Sequence, residues 1–514
     1  MRLLLALAVL LVPAALARAQ APAIAAGEAH TCALRQNGTA ACWGGGLYGQ
    51  RGDGVQTQSQ ATPQEVRAVG GAGALTDAAA ITAGANHTCV LHAGGAVACW
   101  GWGLHGQRGD GSTAVSRTTP QEVQAVGGGG RLSGATAITA GGLHTCALLP
   151  GGTVACWGLG DSGQRGDGTT TRLQTAPVVV RAAGGAGPLT GATALAAGAA
   201  HTCAILQGGA VACWGAGGSG QRGDGNAAPV QAAPQDVRAI GGEGKLSGVT
   251  ALAAGGSNTC AILQDGTVAC WGYGVDGQRG DGVSTEVQPT PVVVLDAEGE
   301  GALRGATALA VGWSHTCARV ARGAVVCWGS GVRGRLGDGT ETYAQMAPVA
   351  VRAVGGGGVL TGVTAIAAGF AHTCALLEGG TAACWGEGTY GQRGDGSTTQ
   401  TQTTPVAVQL AGGAPFYVPV EAAPSAAGAA RLALSPNPAG ARATVTLTLP
   451  TAADGAARVA LYDVLGREVA VLFDGHAAAS QSLALDVSSL APGVYVVRAI
   501  TRHDALTKTL VVAR

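Results

Sequence analysis

Fourteen cysteines with one fixed spacing constrain what this 514-residue chain can fold into. The members of each pair are ten residues apart, and successive pairs follow every 57 residues. The positions are Cys32, Cys42, Cys89, Cys99, Cys146, Cys156, Cys203, Cys213, Cys260, Cys270, Cys317, Cys327, Cys374 and Cys384. A long period that recurs seven times indicates a repeat architecture with one structural unit per copy.

The interval within each pair predicts a disulfide-bonded β-hairpin. In "HTCALLPGGTVACWG" two apolar runs flank a turn, and glycine follows the first cysteine by six residues in every copy. A three-residue loop over 36–38 puts Gly38 in the left-handed conformation and sets Cys32 opposite Cys42, with Cα atoms about 4.5 Å apart. Zinc is the alternative, but its cysteine pairs are usually roughly two to four residues apart. We expect seven intramolecular disulfides and no metal.

Each repeat is predicted to contain four short strands. In the second copy they are expected over 80–83, 87–92, 96–100 and 121–126, followed by a glycine-rich link. Seven copies span 23–410, and four strands per copy predict an all-β, seven-bladed β-propeller.

The repeated segments "HTCALL", "CWG" and "GQRGDG" carry a family resemblance. Together they resemble the regulator of chromosome condensation repeat in its secreted bacterial form, in all seven copies. The resemblance implies a seven-bladed β-propeller. The departure from the family pattern is the arginine of GQRGDG, where the family more often has leucine.

The GQRGDG segment also contains Arg-Gly-Asp, which some extracellular proteins present to receptors. The sixth copy has Leu336 where six others have arginine, at Arg51, Arg108, Arg165, Arg222, Arg279 and Arg393. We therefore interpret the segment as turn chemistry, with the arginine stem along apolar surface and its head in water. Receptor adhesion is the alternative.

A histidine two residues before the first cysteine and a tryptophan after the second also recur. The histidine is present in six copies, and Asn258 replaces it in the fifth. Since asparagine shares hydrogen-bonding capacity but is a poor transition-metal ligand, we expect hydrogen bonds within or between blades rather than a metal ring. The seven tryptophans are expected in the inter-blade core, with carbohydrate stacking as the alternative.

Composition and motifs argue against two classes of function, nucleic-acid binding and catalysis. Thirty basic residues balance thirty acidic ones, which argues against nucleic-acid binding. The sequence has no phosphate-binding loop and no nucleophile elbow, so we nominate no catalytic residue, metal or cofactor and do not expect an enzyme.

The two ends of the chain point to export. Residues 1–19 have the pattern of a secretory signal peptide, and no other stretch is long enough to cross a bilayer. A linker is expected over 411–430, and alternating apolar runs over 431–514 predict a small antiparallel β-sandwich.

The C-terminal segment resembles the sorting domain of the type IX secretion system. The matching marks are 436–438 (PNP), 463–469 (DVLGREV) and 490–495 (LAPGVY). The resemblance implies recognition by the type IX machinery and a location outside the cell or on its surface.

The variable loops on one face provide candidate binding residues. Aromatic side chains occur there in copies five, six, seven, one and two, which are consecutive in a closed ring. They are Tyr273, Trp313, Phe370, Tyr390, Tyr48 and Trp102. Variable residues on a fixed scaffold are suited to specificity, so we expect an exported protein that binds an unidentified protein or glycan. The alternatives are that these rings only cover neighbouring loops, that the face serves an enzyme or an enzyme inhibitor, or that the chain is a guanine-nucleotide exchange factor.

Overall fold

The paired apolar runs of each repeat form the two middle strands of a four-stranded antiparallel sheet. The computed structural model describes residues 23–35, 37–411, 416, 431–435, 442–448, 456–462, 468–476, 480–491, 493–501 and 505–512. The signal peptide predicted over 1–19 lies outside these residues. The chain divides into two compact units, 1–420 and 421–514.

Seven sheets of four consecutive strands make up the first unit, one for each repeat, and this confirms the predicted repeated β-architecture. Blade one consists of β1 (Ala23–Ala26), β2 (His30–Leu34), β3 (Ala40–Gly44) and β4 (Gln64–Glu65), and blade two of β5 (Ala78–Ala83), β6 (His87–His92), β7 (Val97–Trp102) and β8 (Ser116–Glu122). Blade three consists of β9 (Ala137–Ala140), β10 (His144–Leu149), β11 (Thr153–Leu159) and β12 (Leu173–Val179), and blade four of β13 (Ala192–Ala197), β14 (His201–Leu206), β15 (Val211–Ala216) and β16 (Val230–Asp236). Blade five consists of β17 (Val249–Ala254), β18 (Asn258–Leu263), β19 (Val268–Gly272) and β20 (Val292–Val293), blade six of β21 (Ala308–Val311), β22 (His315–Arg319), β23 (Val325–Gly329) and β24 (Gln345–Ala350), and blade seven of β25 (Val363–Ala368), β26 (His372–Leu377), β27 (Ala382–Gly386) and β28 (Val406–Ala407). Short 3-10 turns lie at Pro150–Gly152, Gln207–Gly209, Ala321–Gly323 and Val332–Gly334.

The fourth strand differs from the sequence expectation. It was expected over 121–126 in the second copy, and it lies at Ser116–Glu122. The buried Val123 still donates its N–H to the Val97 carbonyl of β7 at 2.9 Å, but the next N–H, that of Gln124, donates to the Gly109 carbonyl of the GQRGDG turn at 2.8 Å, so pairing with β7 ends there. The polar side chains of this strand gave no alternating apolar pattern.

The central hairpins have the predicted register. Cys32 lies opposite Cys42, the Cα atoms are 4.1 Å apart, and Gly38 has a φ of 76°. All fourteen cysteines are paired in this way within their own hairpins, which confirms the expected disulfides. Every one of them is buried.

The blades form a closed ring. The first strands of neighbouring blades contact one another all the way round, including β25 of blade seven with β1 of blade one. Each inter-blade core combines the disulfide of one blade with the tryptophan of the next, and at the closure Cys374 and Cys384 share a core with Trp43. Each blade is built from four consecutive strands, so none of the described strands is exchanged between the two ends of the ring.

The propeller unit extends past the predicted boundary at 410. Phe416, which falls in the expected linker, is fully buried with its ring centroid 5.6 Å from that of Trp43. Its N–H donates to the Val408 carbonyl at 2.8 Å. At least this residue belongs to the core between blades seven and one.

The second unit consists of two antiparallel sheets. Their strands are β29 (Arg431–Ser435), β30 (Arg442–Thr448), β31 (Ala456–Tyr462), β32 (Glu468–His476), β33 (Ser480–Asp486), β34 (Gly493–Thr501) and β35 (Ala505–Val512). The sheets have the orders β29-β30-β33 and β32-β31-β34-β35. Val445 and Leu447 of the first sheet share a core with Val459, Val497 and Leu510 of the second, as expected of a sandwich. The marks at 436–438 and 463–467, Pro492 of the third mark, and the expected linker apart from residues 411 and 416 lie outside the described residues.

Candidate functional site

A buried polar layer joins each blade to the next. The Thr145 hydroxyl of blade three donates to the Gln107 carbonyl of blade two at 2.9 Å, and the Trp157 indole donates to the same carbonyl at 2.9 Å. His87 Nε2 lies 2.8 Å from Thr145 Oγ1. Because the hydroxyl hydrogen is committed to the carbonyl, His87 Nε2 is the donor to Oγ1.

The same arrangement recurs around the ring. In blade five, Asn258 donates to Thr316 Oγ1 at 3.4 Å in place of a histidine. At the closure, His372 Nε2 bonds to Thr31 Oγ1 at 2.8 Å, and Trp43 donates to the Gln392 carbonyl at 2.9 Å. The histidines and tryptophans therefore hold blades together, in agreement with the structural interpretation of the sequence.

Burial keeps these histidines uncharged. It lowers the pKa of five of them to about 3, namely His30, His87, His144, His201 and His372. It also lowers the pKa of His315 well below its ordinary value. Their Nδ1 atoms are buried without a hydrogen-bond partner in the described part of the chain. Among the described residues, no group of three or more histidine, cysteine or acidic side chains is placed to hold a metal ion.

The GQRGDG segment is a tight turn around a buried arginine. In blade five, Gly277, Gly280 and Gly282 have φ values of 84°, 71° and 78°, and Asp281 Oδ1 accepts the N–H of Val283 at 3.3 Å. This is the expected turn chemistry.

The expected position of the arginine head in water is wrong. The Arg279 side chain is 0% exposed, and its guanidinium donates to Asp281 Oδ2 at 3.1 Å and to the Gly272 and Thr285 carbonyls at 3.3 and 2.9 Å. The sequence showed that one slot accepts Arg or Leu336, but it did not show that backbone carbonyls line the end of that slot. A receptor that reads Arg-Gly-Asp would have to contact a fully buried side chain.

One end of the central channel is framed by a ring of backbone hydrogen bonds, which we call the rim. Each first strand ends near a glycine, and the next residue donates its N–H to the following blade. Phe370 N–H closes the ring by donating to the Gly27 carbonyl of blade one at 3.3 Å. The rim residues are Glu28, Ala85, Gly142, Ala199, Gly256, Trp313 and Phe370, with N···O distances of 2.9 to 3.3 Å.

The rim surrounds a cavity of about 440 Å³ at the channel mouth. Alanine and glycine contribute most of its lining, together with the side chains of Trp102, Trp313, Phe370, Glu28 and Asn86. This volume is in the range of small-molecule sites, roughly 300–1,000 Å³.

The predicted aromatic residues divide into two groups. Trp102 and Trp313, with Phe370, line the cavity. Trp313 is 48% exposed and lies 5.1 Å from Phe370 between ring centroids, and Trp102 stacks on Tyr48 at 5.4 Å.

The other aromatic residues are not part of the cavity lining. Neither Tyr273 nor Tyr390 belongs to it. Burial, and then the charges of Asp276 and Glu286 and the Tyr343 phenol, raise the pKa of Tyr273. Tyr343 is 70% exposed and was missed, although the variation of its loop between copies could have indicated it.

A carboxylate at the rim was also missed by the sequence analysis. Glu28 Oε2 accepts a hydrogen bond from Asn86 Nδ2 at 2.9 Å, and Asn86 Oδ1 accepts one from Gln50 Nε2 at 3.2 Å. The N–H of Trp102 donates to the Asn86 carbonyl at 2.8 Å. Position 28 differs in kind from its equivalents in the other copies, and this was the available signal.

Family models match both units of the chain. The model described as RCC1-like domain covers residues 80–430, and the regulator of chromosome condensation (RCC1) repeat covers 23–50. The model described as Secretion system C-terminal sorting domain covers 433–513.

Individual proteins are similar to the first unit. The Ultraviolet-B receptor UVR8 of Arabidopsis thaliana is 32% identical over 331 residues, which is 64% of this chain and 69% of the receptor. The E3 ubiquitin-protein ligase HERC2 of Homo sapiens is 28% identical over 68% of this chain, but the match spans 7% of the ligase.

Solved structures are similar in fold. Human WBSCR16 has a TM-score of 0.57 at 21% identity and covers 70% of this chain and 88% of its own. Prp20p of Saccharomyces cerevisiae has a TM-score of 0.55 at 19% identity and covers 75% of this chain and 87% of its own.

Proposed function

This chain belongs to the family of proteins with an RCC1-like domain, and we propose that it is a binding protein that holds its partner at the mouth of the propeller channel. A type IX sorting domain at its C-terminal end directs it to the cell surface. Among the described residues, no helix has the length and apolar character needed to span a membrane. The predicted signal peptide over 1–19 fits the same export route.

One observation carries the proposal: both tryptophans outside the repeated Cys-Trp-Gly steps lie at the channel mouth. The chain has nine tryptophans, and the seven of the repeats are fully buried. Trp102 and Trp313 instead line the cavity, and Trp313 packs against Phe370. Partly exposed aromatic side chains on a rigid frame are favourable anchors for a partner.

The frame beneath these side chains is rigid for physical reasons. Seven disulfides close the hairpins, and the His–Thr and Trp–Gln contacts repeat between the blades. A partner therefore meets a surface that is already organised, which reduces the entropy lost on binding.

The activities of related proteins do not favour a different proposal. The match to HERC2 spans 7% of that ligase, so its ligase activity is a property of a much longer protein. Guanine-nucleotide exchange is disfavoured because an exported, disulfide-bonded chain does not meet a cytosolic GTPase.

Affinity capture with the secreted full-length chain tests the proposal. Culture medium and surface fractions are passed over the wild-type chain and over W102A, W313A and F370A. Each variant should retain captured partner at least about tenfold more weakly, since an aromatic anchor contributes about 2 kcal/mol.

The matched control uses a blade that lacks an aromatic residue at the mouth. Leu159 occupies in blade three the position of Trp102 in blade two, so L159A should capture normally. The proposal is wrong if L159A weakens capture as much as the aromatic variants, or if none of the variants weakens it while their melting curves match the wild type.

A further inference from the structure

We propose that the channel mouth binds a small organic ammonium ion, with the positive charge at Glu28 and the apolar part against the surrounding aromatic rings. The inference rests on the proposed function and specifies the ligand of the same site.

Glu28 brings a negative charge to the cavity lining. Among the cavity-lining residues that the structure describes, Glu28 is the one charged side chain, and it is exposed. One of its oxygens accepts from Asn86 Nδ2, and the other accepts no hydrogen bond from a described residue. A carboxylate in a concave site with low-dielectric walls attracts a cation.

Aromatic residues of the cavity lining belong to the blades on both sides of Glu28. On one side, Phe370 N–H donates to the carbonyl of Gly27, which is adjacent to Glu28 in the chain. On the other side, Asn86 joins Glu28 to Trp102 by a side-chain bond at 2.9 Å and a backbone bond at 2.8 Å. Aromatic faces near a carboxylate suit alkylated ammonium groups, which cation–π attraction stabilises by about 0.5–2 kcal/mol.

The backbone of the rim offers a ligand no free N–H group among the described residues. All seven rim N–H groups are committed to the neighbouring blade. The Asn86 amide already donates to Glu28 and accepts from Gln50. A sugar needs several hydrogen-bond partners and an anion needs donors, whereas an ammonium ion with methyl groups needs a charge and apolar contact.

One neighbouring cation lies outside the cavity lining. Arg335 Nη1 donates to the Phe370 carbonyl at 3.3 Å, and its side chain is 7% exposed. Its guanidinium is oriented by that carbonyl and by the Val332 carbonyl at 2.8 Å. It supports the backbone behind Phe370 and leaves Glu28 as the charge that faces the cavity.

Tryptophan fluorescence provides a direct readout, because Trp102 and Trp313 line the cavity while the other seven tryptophans are fully buried. The secreted full-length chain is titrated with choline and, in parallel, with 3,3-dimethylbutanol, which replaces the charged nitrogen by carbon. Choline should change the emission with saturation, and the neutral analogue should bind about tenfold more weakly.

The variant E28Q removes the charge while keeping an acceptor for Asn86, and it should weaken choline binding about tenfold without changing the affinity for dimethylbutanol. The matched control E122Q changes an exposed carboxylate on β8 that pairs with Arg131, and it should bind choline normally. Phosphatidylcholine vesicles form a third arm, which separates a free ion from a lipid headgroup.

The inference is overturned if choline fails to bind at millimolar concentration, if both probes bind equally, if E28Q binds choline normally, or if vesicles bind and free choline does not. These results leave the proposed function intact as long as W102A and W313A still reduce capture of a partner. The proposed function is wrong only if the capture experiment fails, that is, if L159A weakens capture as much as the aromatic variants or if none of the variants weakens it.

Discussion

At the residue scale, the ring depends on polar side chains that are buried without charge. His144 has one nitrogen on Thr202 Oγ1 at 2.8 Å, and its second nitrogen is buried without a partner among the described residues. Protonation would place a charge at that second nitrogen with no acceptor to receive it, so burial favours the neutral form.

The first prediction concerns the stability of the folded chain at acidic pH. Burial lowers the pKa of His144 from 6.5 to about 3, so between these values the unfolded chain binds a proton that the folded chain does not. Stability therefore falls as pH decreases through this window. H144N copies the natural Asn258 and should reduce the slope of unfolding free energy against pH by about 1.4 kcal/mol per unit. N258H should increase the slope. Denaturant titrations between pH 6.5 and 4 measure it, and identical slopes in all three proteins would show that folded histidines take up protons.

The second prediction concerns the buried arginine. R279L leaves the Asp281 carboxylate, which is 10% exposed, without its cation and removes a donor from each of three carbonyls, those of Gly272, Thr285 and Val283. The chain should still fold, but with about 3–5 kcal/mol lower stability. R279L/D281N removes the remaining charge and should recover part of the loss in thermal melts. An unchanged melting temperature for R279L would mean that the pair contributes nothing to stability.

The sequence predicted the structural role of the repeated residues, but it did not predict every group that surrounds their side chains. The asparagine at 258 correctly indicated a hydrogen bond in place of a metal ligand. Leu336 indicated a slot of the right volume, but the polar end of the slot is made of backbone carbonyls, which leave no trace in the sequence. Glu28 was not predicted because its importance depends on the closure that places Phe370 beside it.

At the element scale, the hairpins were predictable and the fourth strands were not. Turn chemistry and cysteine spacing together set the hairpin register to the residue. The fourth strand of blade two pairs across a register shift between Cys99 and Gly101 and consists mainly of polar residues. Because the strand lacks an alternating apolar pattern, the sequence predicts neither the position of the bulge nor the end of the strand.

The third prediction tests the contribution of one disulfide. C89A/C99A opens an eleven-residue loop, which should cost about 2.5–3 kcal/mol. The strands should remain paired, because Gly95 still forms the turn and Trp100 still donates to the Gln50 carbonyl at 2.9 Å. Hydrogen exchange of blade two measures the local loss. C203A/C213A should give an equal loss in blade four, and faster exchange throughout the ring instead would show that the disulfide acts on the whole molecule.

At the scale of the whole molecule, closure uses the same contacts as every other blade junction. His372 with Thr31, Trp43 with the Gln392 carbonyl and Phe370 with Gly27 repeat the contacts found between neighbours elsewhere. Within the part of the chain that the structure describes, the ring therefore closes without a strand shared between its two ends. Repeat count and family resemblance predicted the ring, but not the contacts that close it.

The fourth prediction separates the two units. A chain that ends at residue 420 keeps every described residue of the propeller unit, including Phe416. It should melt at the same temperature as the propeller of the full chain, and it should accumulate in the periplasm because it lacks the sorting domain. Cell fractionation and calorimetry measure the two results. Normal export of the shortened chain would contradict the assigned role of residues 433–513.

The rim also bears on how such a protein can diverge. Its seven bonds join backbone N–H groups to carbonyls, so no rim side chain takes part in them. During divergence, substitutions at five rim positions can change which ligand is recognised while the ring stays intact. These positions are Glu28, Ala85, Ala199, Trp313 and Phe370. Gly142 and Gly256 are different, because an added Cβ would lie 2.8 and 2.4 Å from a carbonyl oxygen of the next blade. Selection for new ligands therefore has five permissive positions and two that the backbone holds fixed.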